Sequence, residues 1–341
     1  MTIPITILTG FLGAGKTTLL NHALRGPLLA RAMVVVNELG AVPLDHLLVK
    51  EVREDVLLLE SGCVCCSVRS DLVATLLAAA AHQVPAKFDR VLVETTGLAD
   101  PTPIVATLVR HPDLTRFFHL DAVVTAVDAE LGAATLDRHD EAAKQVALAD
   151  DLVFTKLDTC DADRLAIVKK RARTLNPVAR VFLAERGRLD WRPLLEGTPS
   201  TVASRLEAVT QPPHRGDTIW SFTVRVEREV ELRSFALWHS MVSQFHGETL
   251  LRVKGLLRVE DEPGPVVVQS VQHVVYPTYS MPGWPSEDHS SRLVVITRGM
   301  SLELFEGLRT SLEQILGAHH VVKDRHRVPT GLTTGATSTR S

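Results

Sequence analysis

A chain of 341 residues is long for one ordinary α/β domain and points to two, the first the larger. With 45% hydrophobic and 23% charged residues it has a globular composition, which excludes wholesale disorder. Its 37 Lys and Arg against 40 Asp and Glu leave a net charge of −3, so nucleic acid is not an expected partner, and no apolar run reaches the roughly 20 residues that span a membrane.

In chain order, β-branched runs at 3–9, 33–37, 56–59, 90–94, 122–127, 152–155 and 180–183 read as strands, and their apolar centres demand cover on both faces. Between them, Leu19, Leu20, Ala23 and Leu24 form a helical stripe that stops at Gly26-Pro27. Two more helices are read at 71–81, with Ser67 or Ser70 as its cap, and at 163–175. The alternation predicts an α/β domain, a parallel sheet with flanking helices. Periodicity fades from 188 to 216, where Pro193, Pro199, Pro212 and Pro213 mark final packing and a linker. Beyond it, strands at 219–226, 250–259, 266–275 and 292–297 and helices at 232–243 and 302–316 predict a smaller C-terminal α+β domain with an antiparallel sheet. The expected division is 1–200, a linker at 201–216, a second domain at 217–320 and a disordered tail at 321–341, poor in apolar residues. Residues 1–15 have no Lys or Arg ahead of their apolar stretch, so a secretory leader is not expected and the chain is assigned to the cytoplasm. Three of the four Cys fall at 63, 65 and 66, which is not a disulfide framework.

Gly10 to Thr17, GFLGAGKT, matches GxxxxGK[ST] between a buried strand and a helix, which makes the first domain a P-loop NTPase sheet. Glycines at 10, 13 and 15 let backbone N–H groups turn around a phosphate, Lys16 reaches its outer oxygens, and the Thr17 hydroxyl can ligate Mg²⁺. A magnesium nucleotide also needs a carboxylate at a neighbouring strand end, which Glu94 supplies; Gly97, three residues on, can turn its N–H toward a γ-phosphate. Thr155-Lys156-Leu157-Asp158 resembles the [NT]KxD loop of GTP-binding proteins. In that loop the carboxylate accepts both guanine N–H groups, whereas adenine would leave Asp158 facing an acceptor, so GTP is expected over ATP.

Cys63, Cys65 and Cys66 follow a strand and precede a helix, whose N-terminus favours the metal-binding thiolate. Three soft ligands in four positions favour Zn²⁺ or Cu(I), with Co²⁺ also compatible, over Mg²⁺; inert thiols and a redox pair are the competing readings. Asn37-Glu38-Leu39-Gly40 closes the second strand and opens a loop that reaches Asp45 and His46 at a switch position, so Glu38 can serve the metal and Asp45 the Mg²⁺ side.

Together TGFLGAGKTTLLN, NELG followed by LDH, ESGCVCC, VLVETTGLADP and QVALADDLVFTKLD resemble the CobW-type GTPases, relatives of the HypB and UreG metal-insertion proteins. The likeness runs to about Pro177 and continues more loosely at 220–222, 252–255, 271–273 and 292–296. It implies GTP hydrolysis coupled to delivery of Zn²⁺ or Co²⁺ to a client protein. By position it implies phosphate contacts at Gly13, Ala14, Gly15, Lys16, Thr17 and Thr18, guanine selection at Lys156 and Asp158, and transferable metal at Cys63, Cys65 and Cys66 with Glu38 nearby. Ala41 stands where the family commonly has a second Glu, and Pro43 where a small flexible residue is usual. His319-His320 is only a pair, placed by the reading at a helix end, and His246 and His273 are read as packing residues. Lys16, Thr17 and Glu94 are the expected catalytic groups, and a homodimer is compatible with the pattern. Two other classes compete: a P-loop kinase of a small metabolite, for which an Arg-bearing lid is missing, and a scaffold that keeps its nucleotide unhydrolysed.

Overall fold

In the computed structural model, which describes residues 2–37, 56–59, 67–81, 88–195, 214–215 and 219–317, the first strand, β1 (Ile3–Gly10), lies at the middle of a seven-stranded parallel sheet. The order is β3-β2-β4-β1-β5-β6-β7, with β2 at Ala32–Asn37, β3 at Val56–Leu59, β4 at Arg90–Glu94, β5 at Phe118–Asp128, β6 at Asp151–Thr155 and β7 at Arg180–Leu183. Alternate side chains explain the apolar runs. Leu8, Val36, Leu92, Val124 and Val153 face helix α1 (Lys16–Leu24), while Ile5, Ile7, Val35, Val91 and Val93 face α2 (Ser67–Ala81) and α3 (Thr102–Arg110). From β1 the chain builds one side of the sheet first and then the other, so the strand order reverses at its carboxyl edge. That is where ligands bind in open α/β sheets.

Helix α2 starts at Ser67, so Ser70 lies inside its first turn and cannot cap it. Besides the four-residue helix at Arg192–Leu195, three helices escaped the sequence reading: α3, α4 (Gly132–Arg138) and α5 (Asp140–Leu148). At nine, seven and nine residues all three are short for a 3.6-residue period to register, and α5 is rich in Ala and polar residues, with six of its nine residues buried. Strand β5 begins four residues before the expected 122, because a register shift between Ile5 and Thr6 lets β1 pair also with Phe118, His119 and Leu120. Helix α6 (Ala162–Leu175) is capped by Asp161, whose side chain accepts from Arg164 N at 2.8 Å. A short α7 (Arg192–Leu195) closes the described part of this unit.

The second unit is antiparallel, as expected: β8 (His214–Arg215), β9 (Ile219–Val226), β10 (Leu250–Leu257), β11 (Val266–Val271), β12 (Val274–Val275), β13 (Tyr279–Ser280) and β14 (Ser291–Arg298), ordered β12-β11-β10-β14-β9-β8 with β13 on β11. The single strand expected at 266–275 is two. Gln272 adopts φ 51°, the chain reverses, and Val274 pairs back on Val271; the turn has no Asn-Gly or Gly-Gly signature, and the valines on both sides hide the break. Helices α8 (Leu232–His246) and α9 (Leu302–Leu316) cover one face through Phe235, Phe305 and Leu312 against Phe222, Val253 and Val295. The opposite face does not meet water. Leu251, Leu256, Val267, Val294 and Ile296 pack against Val146, Phe154 and Val168 of the parallel unit, in one continuous core.

Charge is buried at this junction. Asp150, between α5 and β6, accepts from Lys254 Nζ at 2.6 Å and pairs with Arg252 Nη2, while its other oxygen accepts from Val123 N at 3.0 Å. Burial alone would push its carboxyl up, but the two cations hold it well below the usual carboxylate range. Among the described residues no helix is long and apolar enough to cross a membrane.

Candidate nucleotide site

The phosphate loop joins β1 to α1 at the carboxyl edge, and its glycines are there for measurable reasons. At Gly10 (φ 144°) a Cβ would stand 2.5 Å from Ala126 O, and Gly13 and Gly15 adopt the left-handed φ values 70° and 84°. Gly15 caps α1 with no side-chain hydrogen bond, so no side chain competes with an anion for the first-turn N–H groups. Lys16 is buried, and its Nζ donates to Gly10 O at 3.0 Å and Phe11 O at 3.3 Å, which holds the ammonium over the loop. Gly13, Ala14 and Thr18 share that loop and the first turn, where the reading put them.

Glu94 comes to this loop through strand pairing. Its partner in register is Leu8, and its Oε1 accepts from Thr17 Oγ1 at 3.0 Å. A carboxylate and a hydroxyl side by side form a hard-oxygen pair of the kind Mg²⁺ takes, so Thr17 and Glu94 fit that ion. The turn after Glu94 is tied down: Thr95 N donates to Leu8 O at 3.0 Å and Thr95 Oγ1 to Thr9 Oγ1 at 2.8 Å. Gly97 sits so close to the loop that a Cβ would lie 2.6 Å from Leu12 N, a backbone atom that cannot swing away. From behind, Gln145 of α5 donates through Nε2 to Gly97 O at 3.2 Å and Ala99 O at 3.0 Å, and Lys144 reaches Asp100 at 3.3 Å.

The other end of the cleft gathers the base-selecting candidates. Thr155 Oγ1 donates to Ala14 O at 2.8 Å, joining β6 to the phosphate loop. Lys156 has φ 56°, and its Nζ bonds Asp128 Oδ2 at 2.8 Å, at the end of β5. Asp158 faces Arg186, with Nε 3.5 Å from Oδ2. Arg186 and Gly187, at φ 50° and 80°, are the centre of a two-residue hairpin closed by Glu185 and Arg188. A Cβ on Gly187 would meet Thr18 at 2.9 Å, so this hairpin rests on the start of α1.

Sequence reading missed Asp128, Gln145 and the 185–188 hairpin. Asp128 had a signal, since it ends the run VVTAVD as Glu94 ends VLVE. Glu38, Asp45, Cys63, Cys65 and Cys66 lie outside the described residues, as do His319 and His320; among the described residues no group of three or more His, Cys, Asp and Glu could hold a metal ion. The strands that lead into those segments are described. Val36 is in register with Glu94 and Asn37 with Leu59, so β2 and β3 both end at the edge where Glu94 stands. Of the single histidines, His246 and His273 enter the described contacts through backbone oxygens, which accept from Thr249 and Arg110 respectively.

Residues 4–183 match the model of the CobW/HypB/UreG nucleotide-binding domain, and residues 219–316 that of the cobalamin synthesis protein cobW C-terminal domain. The zinc chaperone YjiA of Escherichia coli K12 is 32% identical over 302 residues, 86% of this chain and 93% of that protein. The zinc chaperone CobW of Pseudomonas aeruginosa PAO1 is 30% identical over 354 positions, 91% of this chain and 92% of that one. In three dimensions the Zn(II)-bound YjiA GTPase of E. coli has the same fold, with a TM-score of 0.63 at 24% identity, covering 92% of this chain and 99% of the other.

Proposed function

Since the chain belongs to the CobW/HypB/UreG family, we propose that it is a GTP-hydrolysing metallochaperone that binds Zn²⁺ as cargo at Cys63, Cys65 and Cys66, with Glu38, and passes it to a client protein; Co²⁺ is a second candidate cargo. Relatives named zinc chaperones over nearly their whole length support the reading. The observation that carries it is the strand register. The segments that bear Glu38 and the three cysteines leave β2 and β3 beside Glu94, the residue bonded to Thr17 of the phosphate loop. Both ligand sets therefore start from one sheet edge.

In this reading the GTP phosphates lie on the N–H groups of Gly13 to Thr18, and Lys16 swings from the Gly10 and Phe11 carbonyls to their outer oxygens. Thr17 and Glu94 would hold Mg²⁺, with Asp45 a third candidate ligand by its place in the sequence, and the ion would supply charge neutralisation on the phosphates. Gly97 lets the 95–100 turn approach the γ end without a side chain in the way, and Gln145 fixes that turn from behind. Asp158 accepts the guanine N–H pair, and Lys156 lines the base. Hydrolysis releases the contacts that order the loop after β2, and with them the hold on the metal.

Coupling between two sites is reciprocal, typically fivefold to about 150-fold in affinity. Zn²⁺ affinity measured with and without a non-hydrolysable GTP analogue should change by that order in the wild type. It should lose its nucleotide dependence in Lys16→Ala, while Cys65→Ser should weaken Zn²⁺ binding and leave GTP binding intact. A Zn²⁺ affinity indifferent to nucleotide would sink the coupled mechanism.

A further inference from the structure

Behind the phosphate loop lies a cavity of about 280 Å³, walled by Phe11 to Ala14, the end of β5, and helices α4 and α5. Gly13, Ala14 and Lys156 belong both to its wall and to the nucleotide cleft, whereas Lys16, Thr17, Glu94 and Asp158 do not line it. Its lining is mainly apolar, from Phe11, Val127, Leu136, Ala142 and Val146, and two leucines at its rim, Leu12 and Leu131, are 58% and 59% exposed. Large exposed apolar side chains around an apolar hollow mark a binding site more often than a packing fault.

The polar group in it is specific. Gln145 is 0% exposed, and its Nε2 is committed to the Gly97 and Ala99 carbonyls, which fixes which way the amide faces. Its Oε1 has no hydrogen-bond partner among the described residues. A buried acceptor left unmade is unfavourable, so a donor brought by a ligand is stabilising at this one point. The ionic residues on the wall, Lys156 and Asp128, neutralise each other at 2.8 Å, which leaves nothing to attract a charged ligand. A cavity of roughly 150 Å³ takes benzene, so this one has room for a fused bicycle.

We propose that this cavity is an effector site for a small, flat, neutral molecule with a single N–H or O–H donor, which Gln145 Oε1 accepts. The wall and the hydrogen bond both lead to the nucleotide. Phe11 to Ala14 are the phosphate loop, and the amide that meets the ligand is the one that holds the turn at Gly97 and Ala99. Filling the cavity therefore biases both loops at the γ end. The regulatory part rests on the GTPase reading; the binding part does not.

Indole and benzothiophene, alike in shape but differing in the N–H, are the probes, titrated against the full chain by ligand-observed NMR. Indole should bind about tenfold more tightly, the worth of one hydrogen bond, and both should be lost in Ala142→Leu and in Thr135→Leu, each of which fills the cavity and keeps basal GTP hydrolysis. Saturating indole should shift the KM for GTP by about fivefold or more. Equal affinity for the two probes, binding that survives both filled variants, no binding at millimolar concentration (a lone water on Gln145), or unchanged GTP kinetics each overturns the proposal. If the protein hydrolyses no GTP, affinity for a non-hydrolysable analogue replaces KM. Selective indole binding in such a protein would then sink the enzyme reading and spare the site.

Discussion

The two ends of the nucleotide cleft are built by different means. At the phosphate end position is set by backbone: a methyl group at Gly10 would stand 2.5 Å from a carbonyl oxygen and one at Gly97 2.6 Å from an amide nitrogen. At the base end the hairpin also rests on α1 through Gly187, but the side chains that would meet the base, Lys156 and Asp158, are held by ion pairs that water reaches, with Lys156 at 40% and Arg186 at 76% exposure. Backbone contacts of that closeness have no alternative arrangement, whereas exposed pairs are worth about 0–1 kcal/mol and exchange partners readily. In the proposed reading, chemistry that needs sub-ångström placement sits at the rigid end, and recognition, which must admit and release a base, at the adaptable one.

Substitutions can break that contrast. Lys16→Ala should lower kcat for GTP hydrolysis by about a thousandfold, since it removes a fixed charge from the transferring phosphoryl group; phosphate release under single turnover measures it. Gly97→Ala should cost about a hundredfold, because the turn must withdraw by around an ångström from Leu12. If its kcat is unchanged, the phosphate end is not rigid. Asp158→Asn should reduce the preference for GTP over ATP by about tenfold with kcat little altered, the loss of one charged acceptor. Competition binding with both nucleotides reads it directly. Arg186→Ala should change GTP affinity by less than about threefold, as befits an exposed pair. An effect as large as that of Asp158→Asn would place the hairpin among the rigid parts and end the distinction.

How legible each end was follows from the same physics. GFLGAGKT could be read because its chemistry is local: eight consecutive residues carry the turn, the charge and the hydroxyl. Glu94 could be read because a strand end is a local event. Gln145 could not, since its role is a pair of hydrogen bonds to carbonyls 48 and 46 residues away. Nor could Gly187, which at φ 80° packs against Thr18 at the start of α1, 169 residues earlier in the chain. Of the fold, long apolar strands and the striped helices α1, α6 and α9 came through. The short, Ala-rich or Pro-started helices α3, α4 and α5 did not, and with α4 and α5 went the cavity they wall. The proposed metal ligands Glu38, Cys63, Cys65 and Cys66, and Asp45 on the Mg²⁺ side, were legible as a pattern of residue types and lie outside the described residues.

The continuous core between the two sheets also bears on how the chain is made. Synthesis runs from the N-terminus, so the nucleotide half leaves the ribosome with Val146, Phe154 and Val168 bare and stays so until Ile296 has emerged. For a shorter interval, until 254 has emerged, Asp150 awaits the cations at 252 and 254. Nascent chains stalled before that point should be clients of the holdase machinery themselves, and a messenger truncated after the GTP motifs yields a sticky fragment in place of a smaller enzyme.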